Sequence, residues 1–105
     1  MRGHGAFVAL RSSARRARNG AVTVQFALVG DDEVRVAYAV ARRVGGAVER
    51  NRWRRRLRAI AAEAAAELPP GAYLIGLSAR VHELDFNRLR EQVTTTMREA
   101  SGGRR

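Results

Sequence analysis

Residues 42–58 read RRVGGAVERNRWRRRLR, eight arginines in seventeen positions with a single acid, Glu49. The stretch has an order that a generic basic tail lacks. Arg42 and Arg43 precede a glycine pair, Gly45-Gly46, and a short apolar step, Ala47-Val48, leads into Arg50-Asn51-Arg52. Trp53, Leu57, Ile60 and Ala64 then recur at intervals of four, three and four, which places them on one stripe of a helix. Arg50, Arg54 and Arg58 form a second row at i, i+4, with Arg55 beside it. The distal half, AIAAEAAAE, is mostly alanine, the strongest helix former, and Pro69-Pro70-Gly71 stops it. The spacing predicts a helix from about Ala47 to Leu68.

Upstream of that helix the period changes to two. Val22, Val24, Phe26 and Leu28 alternate with Thr23, Gln25 and Ala27, and Val34, Val36, Tyr38 and Val40 alternate again after Gly30-Asp31-Asp32-Glu33. Two alternating runs joined by a short polar loop predict an antiparallel hairpin. Asn19-Gly20 signals a turn, and residues 5–18 hold Phe7, Val8 and Leu10 followed by arginines, with a short helix across the first part. Downstream, Ala72–Ala79 is an apolar run of strand length. Asp85 is placed to cap a last helix with Phe86, Leu89, Val93 and Met97 as its buried stripe, weakened near its end by threonines 94–96. Residues 101–105 read as a disordered tail. The expectation is one domain, 1–105, with an α/β (α+β) two-layer sandwich in α-β-β-α-β-α order. Its strand–helix–strand connection is long enough for a parallel pairing, and both later helices cover one face of a small sheet.

The formal charge of the 105-residue chain is +10, and all twenty basic residues are arginine. Arginine is planar and forked, so it grips phosphate oxygens in pairs and stacks on bases. The missing lysine reads as a coding bias, but an excess charge this large repels itself in a compact state unless a polyanion answers it. Cysteine is absent, which excludes disulfides, a thiol nucleophile and thiolate metal sites and fits a reducing cytoplasm. MRGHGAF lacks the apolar stretch of a signal peptide, and no segment approaches membrane-spanning length.

Residues suited to catalysis are scarce. His4 and His82 are the only histidines, and neither lies in a ligand-like cluster. His82 reads as a polar residue in the loop before the last helix, and Asp31, Asp32 and Glu33 as a solvated turn. Gly45-Gly46 completes no phosphate-binding fingerprint, although a loop that opens a helix can aim free N–H groups at a phosphate. The arginine row is different, because its i, i+4 neighbours are themselves arginines, and like charges at that spacing destabilise a helix. A row of that kind calls for an external anion, and its charge and placement point to nucleic acid.

These same residues carry a family resemblance. Arg42-Arg43-Val44-Gly45, Ala47-Val48 and Arg50-Asn51-Arg52-x-Arg54-Arg55-x-x-Arg58 resemble the signature of the bacterial ribonuclease P protein component. Phe7 and Leu10 resemble its first-helix Phe-x-x-Val/Leu, Pro69-Pro70-Gly71-Ala72-Tyr73 its helix-to-strand turn, and Phe86-x-x-Leu89 the start of its last helix. The chain departs from the pattern at Gly46, where a lysine is usual, at Ala41, where serine is common, and at Arg11, where many members carry a second aromatic. The resemblance implies a protein that assists a catalytic RNA subunit in removing the 5′ leader of precursor tRNA. Mg²⁺ would be held mainly by the RNA subunit and substrate. It assigns Arg42, Arg43, Arg50, Asn51, Arg52, Arg54, Arg55 and Arg58 to RNA contact, and Phe7, Arg11, Thr23 and Gln25 to the border of a leader cleft. It also implies a left-handed βαβ crossover, where the general rule gives a right-handed one.

The strongest rival is a ribosomal or ribosome-associated protein that uses the same helix as a structural RNA clamp. A DNA-compacting protein lacks support, since no DNA-reading motif is present. A membrane-active basic helix is weaker still, because the stripe around Trp53 is needed for the core.

Overall fold

The alternating runs do form strands, but they do not pair with each other. The computed structural model describes residues 15–28 and 32–102. Its elements are β1 (Arg15–Asn19), β2 (Val22–Ala27), β3 (Val34–Val40), α1 (Ala47–Ala65), β4 (Gly71–Leu77) and α2 (Phe86–Ser101), with 3₁₀ turns at Arg42–Val44 and Ala79–Glu83. The helix expected in the first part of residues 5–18 lies outside the described residues as far as residue 14. The sheet order is β1-β2-β4-β3. β4 enters between the two runs, antiparallel to β2 and parallel to β3. The expected β2–β3 hairpin is therefore corrected. Its physical reason is the composition of β4, whose GAYLIGL carries no charge and is better satisfied with a partner along both edges than at a margin.

The hairpin that does form is β1–β2, closed at the Asn19-Gly20 turn with Asn19 opposite Val22. β1 reads RRARN, with one apolar residue, so alternation does not reveal it. Such a polar strand suits an edge, where charge guards against pairing with another chain. The parallel β3–α1–β4 unit is as the sequence predicts.

One sheet face carries Val22, Val24, Phe26, Tyr73, Ile75 and Leu77, all buried. α2 covers it with Leu89, Val93 and Met97, and α1 with Trp53, Leu57 and Ile60, all part of one hydrophobic cluster. Tyr73 packs its ring 4.8 Å from Phe26 and donates its hydroxyl to the Pro69 carbonyl at 2.6 Å. Burial pushes that phenol above its ordinary value.

α1 ends short of Leu68, because the chain turns through Leu68, whose N–H reaches the Ala65 carbonyl. α2 runs through its threonines instead of fraying there. Thr96 Oγ1 donates back to the Gln92 carbonyl and accepts from Asn19 Nδ2 at 2.9 Å, so a weak helix former becomes the bolt between α2 and the β1–β2 turn. Ser101 and Gly102, assigned from sequence to a tail, are the last buried helical residue and its cap.

Candidate nucleic-acid interface

The buried stripe of α1 is Trp53, Leu57, Ile60, Ala61 and Ala64, and this fixes where its charges face. At about 100° per residue, Arg54 and Arg58 fall beside the stripe on the flank toward β3, while Arg50 falls within it, between the directions of Leu57 and Ala61. Arg58 confirms the side, since its guanidinium lies 5.9 Å from the centroid of the Tyr38 ring on β3. Burial raises the Tyr38 phenol, and the nearby Arg58 charge opposes the shift. Arg50 is half-buried, and its Nε has no hydrogen-bond partner. Asn51 Oδ1 accepts from Arg54 at 2.8 Å, so the asparagine of Arg50-Asn51-Arg52 orients the next arginine of the row. Arg52 and Arg55 are exposed on the outward side of the helix.

The acids lie on the other flank. Glu63 is 3.8 Å from Arg90 and Glu67, just past the helix, is 3.6 Å from Arg98, both partners being on α2. Among the described residues, no carboxylate lies within ion-pair distance of Arg50, Arg54 or Arg58. The helix is thus electrically divided: Glu63, with Glu67 just past the end, is directed to α2, Glu49 faces His82 at 3.8 Å, and none of them reaches the arginine row. Each like-charge i, i+4 pair costs about 0.2–0.5 kcal/mol in an isolated helix.

The approach to α1 adds two more cations. β3 ends at Val40, Ala41 donates to the Leu77 carbonyl at 3.0 Å, and the 3₁₀ turn buries Val44 while exposing Arg42 and Arg43. Gly45 has φ of 156°, and a Cβ there would stand 2.7 Å from Glu49 Oε1, so glycine is required. Gly46, the N-cap, has φ of −73° and would place a Cβ with nothing within 4 Å. No side chain caps the helix, so its first-turn N–H groups lack a side-chain acceptor.

The sheet face away from the helices carries the other expected residues. Thr23 is exposed and Gln25 half-buried, and both point outward as predicted. The register sets Arg18, Thr23, Gly76 and Ala39 in one row across the strands, and Arg16, Gln25, Leu74 and Ala37 in the next. Because Gly76 and Ala39 are small, the first row forms a cleft of about 320 Å³ bordered by Arg18 and Thr23. It runs out at Ala41, next to Arg42. Phe7 and Arg11, expected along the same cleft, lie outside the described residues. Arg16 and Arg18 were not singled out from the sequence; the signal that finds them is their alternation, visible once β1 is known to pair with Thr23 and Gln25.

This arrangement is suited to anions and offers little for proton transfer. Among the described residues no cluster of three or more His, Asp or Glu side chains is placed to hold a metal ion. None of the described helices is long and apolar enough to cross a membrane.

Comparison with known proteins points the same way. A family model described as Ribonuclease P matches residues 1–101. The ribonuclease P protein component of a Nitratiruptor strain is 30% identical over 66 residues, a stretch that spans 63% of this chain and 61% of that relative. The ribonuclease P protein of Thermotoga maritima superposes with a TM-score of 0.82 at 23% identity, covering 94% of each chain. That of Staphylococcus aureus superposes with a TM-score of 0.82 at 14% identity, over 95% of this chain and 93% of its own. At these identities the two structures speak for the shared fold.

Proposed function

Because the chain belongs to the ribonuclease P protein family, we propose that it is the protein subunit that binds a catalytic RNA and the 5′ leader of precursor tRNA, assisting Mg²⁺-dependent removal of the leader. The observation that carries this reading is the row of Arg50, Arg54 and Arg58, which has no carboxylate partner among the described residues while the nearby acids are directed elsewhere. Phosphates of a folded RNA supply the missing charge. Arg42, Arg43, Asn51, Arg52 and Arg55 widen the same surface around the start of α1.

The outer sheet face takes the leader. Thr23 and Gln25 offer hydrogen bonds along a shallow cleft, and Arg16 and Arg18 line its edge with charge. Such a surface holds single-stranded RNA with little sequence preference. Mg²⁺ is held mainly by the RNA subunit and the substrate. The protein's share is to screen one polyanion from another so that they approach. It works in the cytoplasm, which the absence of cysteine suits.

A reconstituted cleavage assay tests this. At low Mg²⁺ the protein should stimulate precursor-tRNA cleavage by the RNA subunit, Arg58→Ala should lower that stimulation, and high Mg²⁺ should partly restore it. If the protein fails to stimulate at every Mg²⁺ concentration and instead co-sediments with a ribosomal subunit, it is a structural RNA clamp.

A further inference from the structure

His82 belongs to no motif in the sequence, yet it joins the two turns that precede the two helices. It sits in the 3₁₀ turn Ala79–Glu83, and its Nε2 lies 2.7 Å from the carbonyl oxygen of Val44, 38 residues earlier. A carbonyl only accepts, so Nε2 carries the proton. The ring's other nitrogen, Nδ1, faces Glu49 Oε2 at 3.8 Å. The ring meets Trp53 edge-on, with centroids 5.9 Å apart and planes at 82°. Trp53 in turn has the Arg56 guanidinium 4.7 Å from its ring centroid.

These contacts converge on one joint. Val44 and Glu49 flank Gly45-Gly46, the two residues between the end of the 3₁₀ turn and the first turn of α1. A glycine pair without a side-chain cap is the most pliable link the backbone offers. Glu49 also covers Gly45, since its Oε1 stands 2.7 Å from where a Cβ would be. His82 therefore holds the residue before the joint by a hydrogen bond and packs its ring against Trp53 of the helix that follows the joint.

We propose that His82 is a positioning residue for RNA binding, locking the Gly45-Gly46 joint so that Arg42 and Arg43 stand in a fixed relation to the row Arg50, Arg54 and Arg58. The inference rests on the reading that this surface binds the RNA subunit. Phosphates along a folded RNA have fixed spacing, so two groups of arginines on a pliable joint engage them less well than the same arginines held in register.

The test measures affinity of the whole protein for the RNA subunit across a salt series, together with amide hydrogen exchange, for His82→Ala, His82→Gln and Arg58→Ala. A glutamine amide reaches the Val44 carbonyl from the position of Nε2, whereas alanine donates nothing. His82→Ala should weaken binding about tenfold, the scale of one hydrogen bond removed. Its log–log salt slope should become shallower by about 0.7 for each phosphate that the arginines no longer neutralise. Exchange should quicken at residues 44–49 and stay slow in α2, and His82→Gln should restore both affinity and slope. Wild-type affinity and slope in His82→Ala, with Arg58→Ala still weakened, would overturn the inference and leave the functional reading standing. So would a folded His82→Gln that fails to restore binding. If Arg58→Ala also binds as wild type, the functional reading falls and this inference with it.

Discussion

α1 and α2 lie on the same sheet face and are similar in length, 19 and 16 residues, yet they are built on opposite terms. α2 is finished at both ends. Asp85 Oδ1 accepts from the Arg88 N–H at 2.8 Å, and the Gly102 N–H reaches back to the Arg98 and Glu99 carbonyls. Its Leu89, Val93, Met97 and Ala100 are buried, and Arg90 and Arg98 pair with glutamates of the α1 side. α1 has no side-chain cap at its start and carries its arginine row without a carboxylate partner among the described residues. The difference separates two duties. α2 is stabilised from within the molecule, and α1 keeps an arginine row that no carboxylate among the described residues answers.

The largest expected effect comes from the core of α2. Leu89→Ala should lower unfolding free energy by about 2–5 kcal/mol, the usual range for a fully buried leucine, as read from urea denaturation. The protein that remains folded should bind RNA with an unchanged salt slope. On α1 the pattern should reverse. Arg58→Ala should change stability by no more than about 0.5 kcal/mol, because the residue is exposed, while the salt slope of RNA binding falls by about 0.7. A stability loss there as large as that of Leu89→Ala would mean that the Arg58–Tyr38 contact supports the fold, and the division of duties would fail. Asp85→Ala is the next smaller step, costing about 1 kcal/mol of stability through removal of the cap, with RNA affinity untouched.

The sequence was most legible where one element carries its own period. The α1 stripe and the Arg50–Arg54–Arg58 row are both visible from spacing alone, as is the extent of β3, whereas β2 stops one residue before Leu28 and β4 runs Gly71–Leu77 where the apolar run suggested Ala72–Ala79. Strand neighbours were not legible, because alternation reports which face is buried and not which edge is paired. Thus Val22–Ala27 and Val34–Val40 were strands, but β4 separates them. β1 was hidden by its charges, and with it Arg16 and Arg18 on the outer face. His82 was hidden for another reason. Its hydrogen-bonding partner is a backbone carbonyl far away in the chain, and no residue pattern records a backbone acceptor.

The comparison is finest at the two adjacent glycines that open α1, where the smallest expected effect is that of Gly46→Lys. Gly45 is held at φ of 156° against Glu49, and Gly45→Ala should cost more than about 1 kcal/mol because a side chain both strains the backbone and displaces that carboxylate. Gly46 has ordinary extended backbone and open space, so Gly46→Lys fits without rearrangement. Its effects on stability nearly cancel. A side chain restricts the unfolded chain, which favours folding by about 0.4–1 kcal/mol, while a cation at a helix N-terminus costs about 0.3–1 kcal/mol against the dipole. What remains is one added charge beside Arg42 and Arg43. If that turn faces the RNA, Gly46→Lys should steepen the salt slope by up to about 0.7 and tighten binding at low salt, with a melting temperature near that of the parent. An unchanged slope would place the RNA along the Arg50–Arg58 row alone, and the RNA-facing surface would begin inside α1 instead of before it.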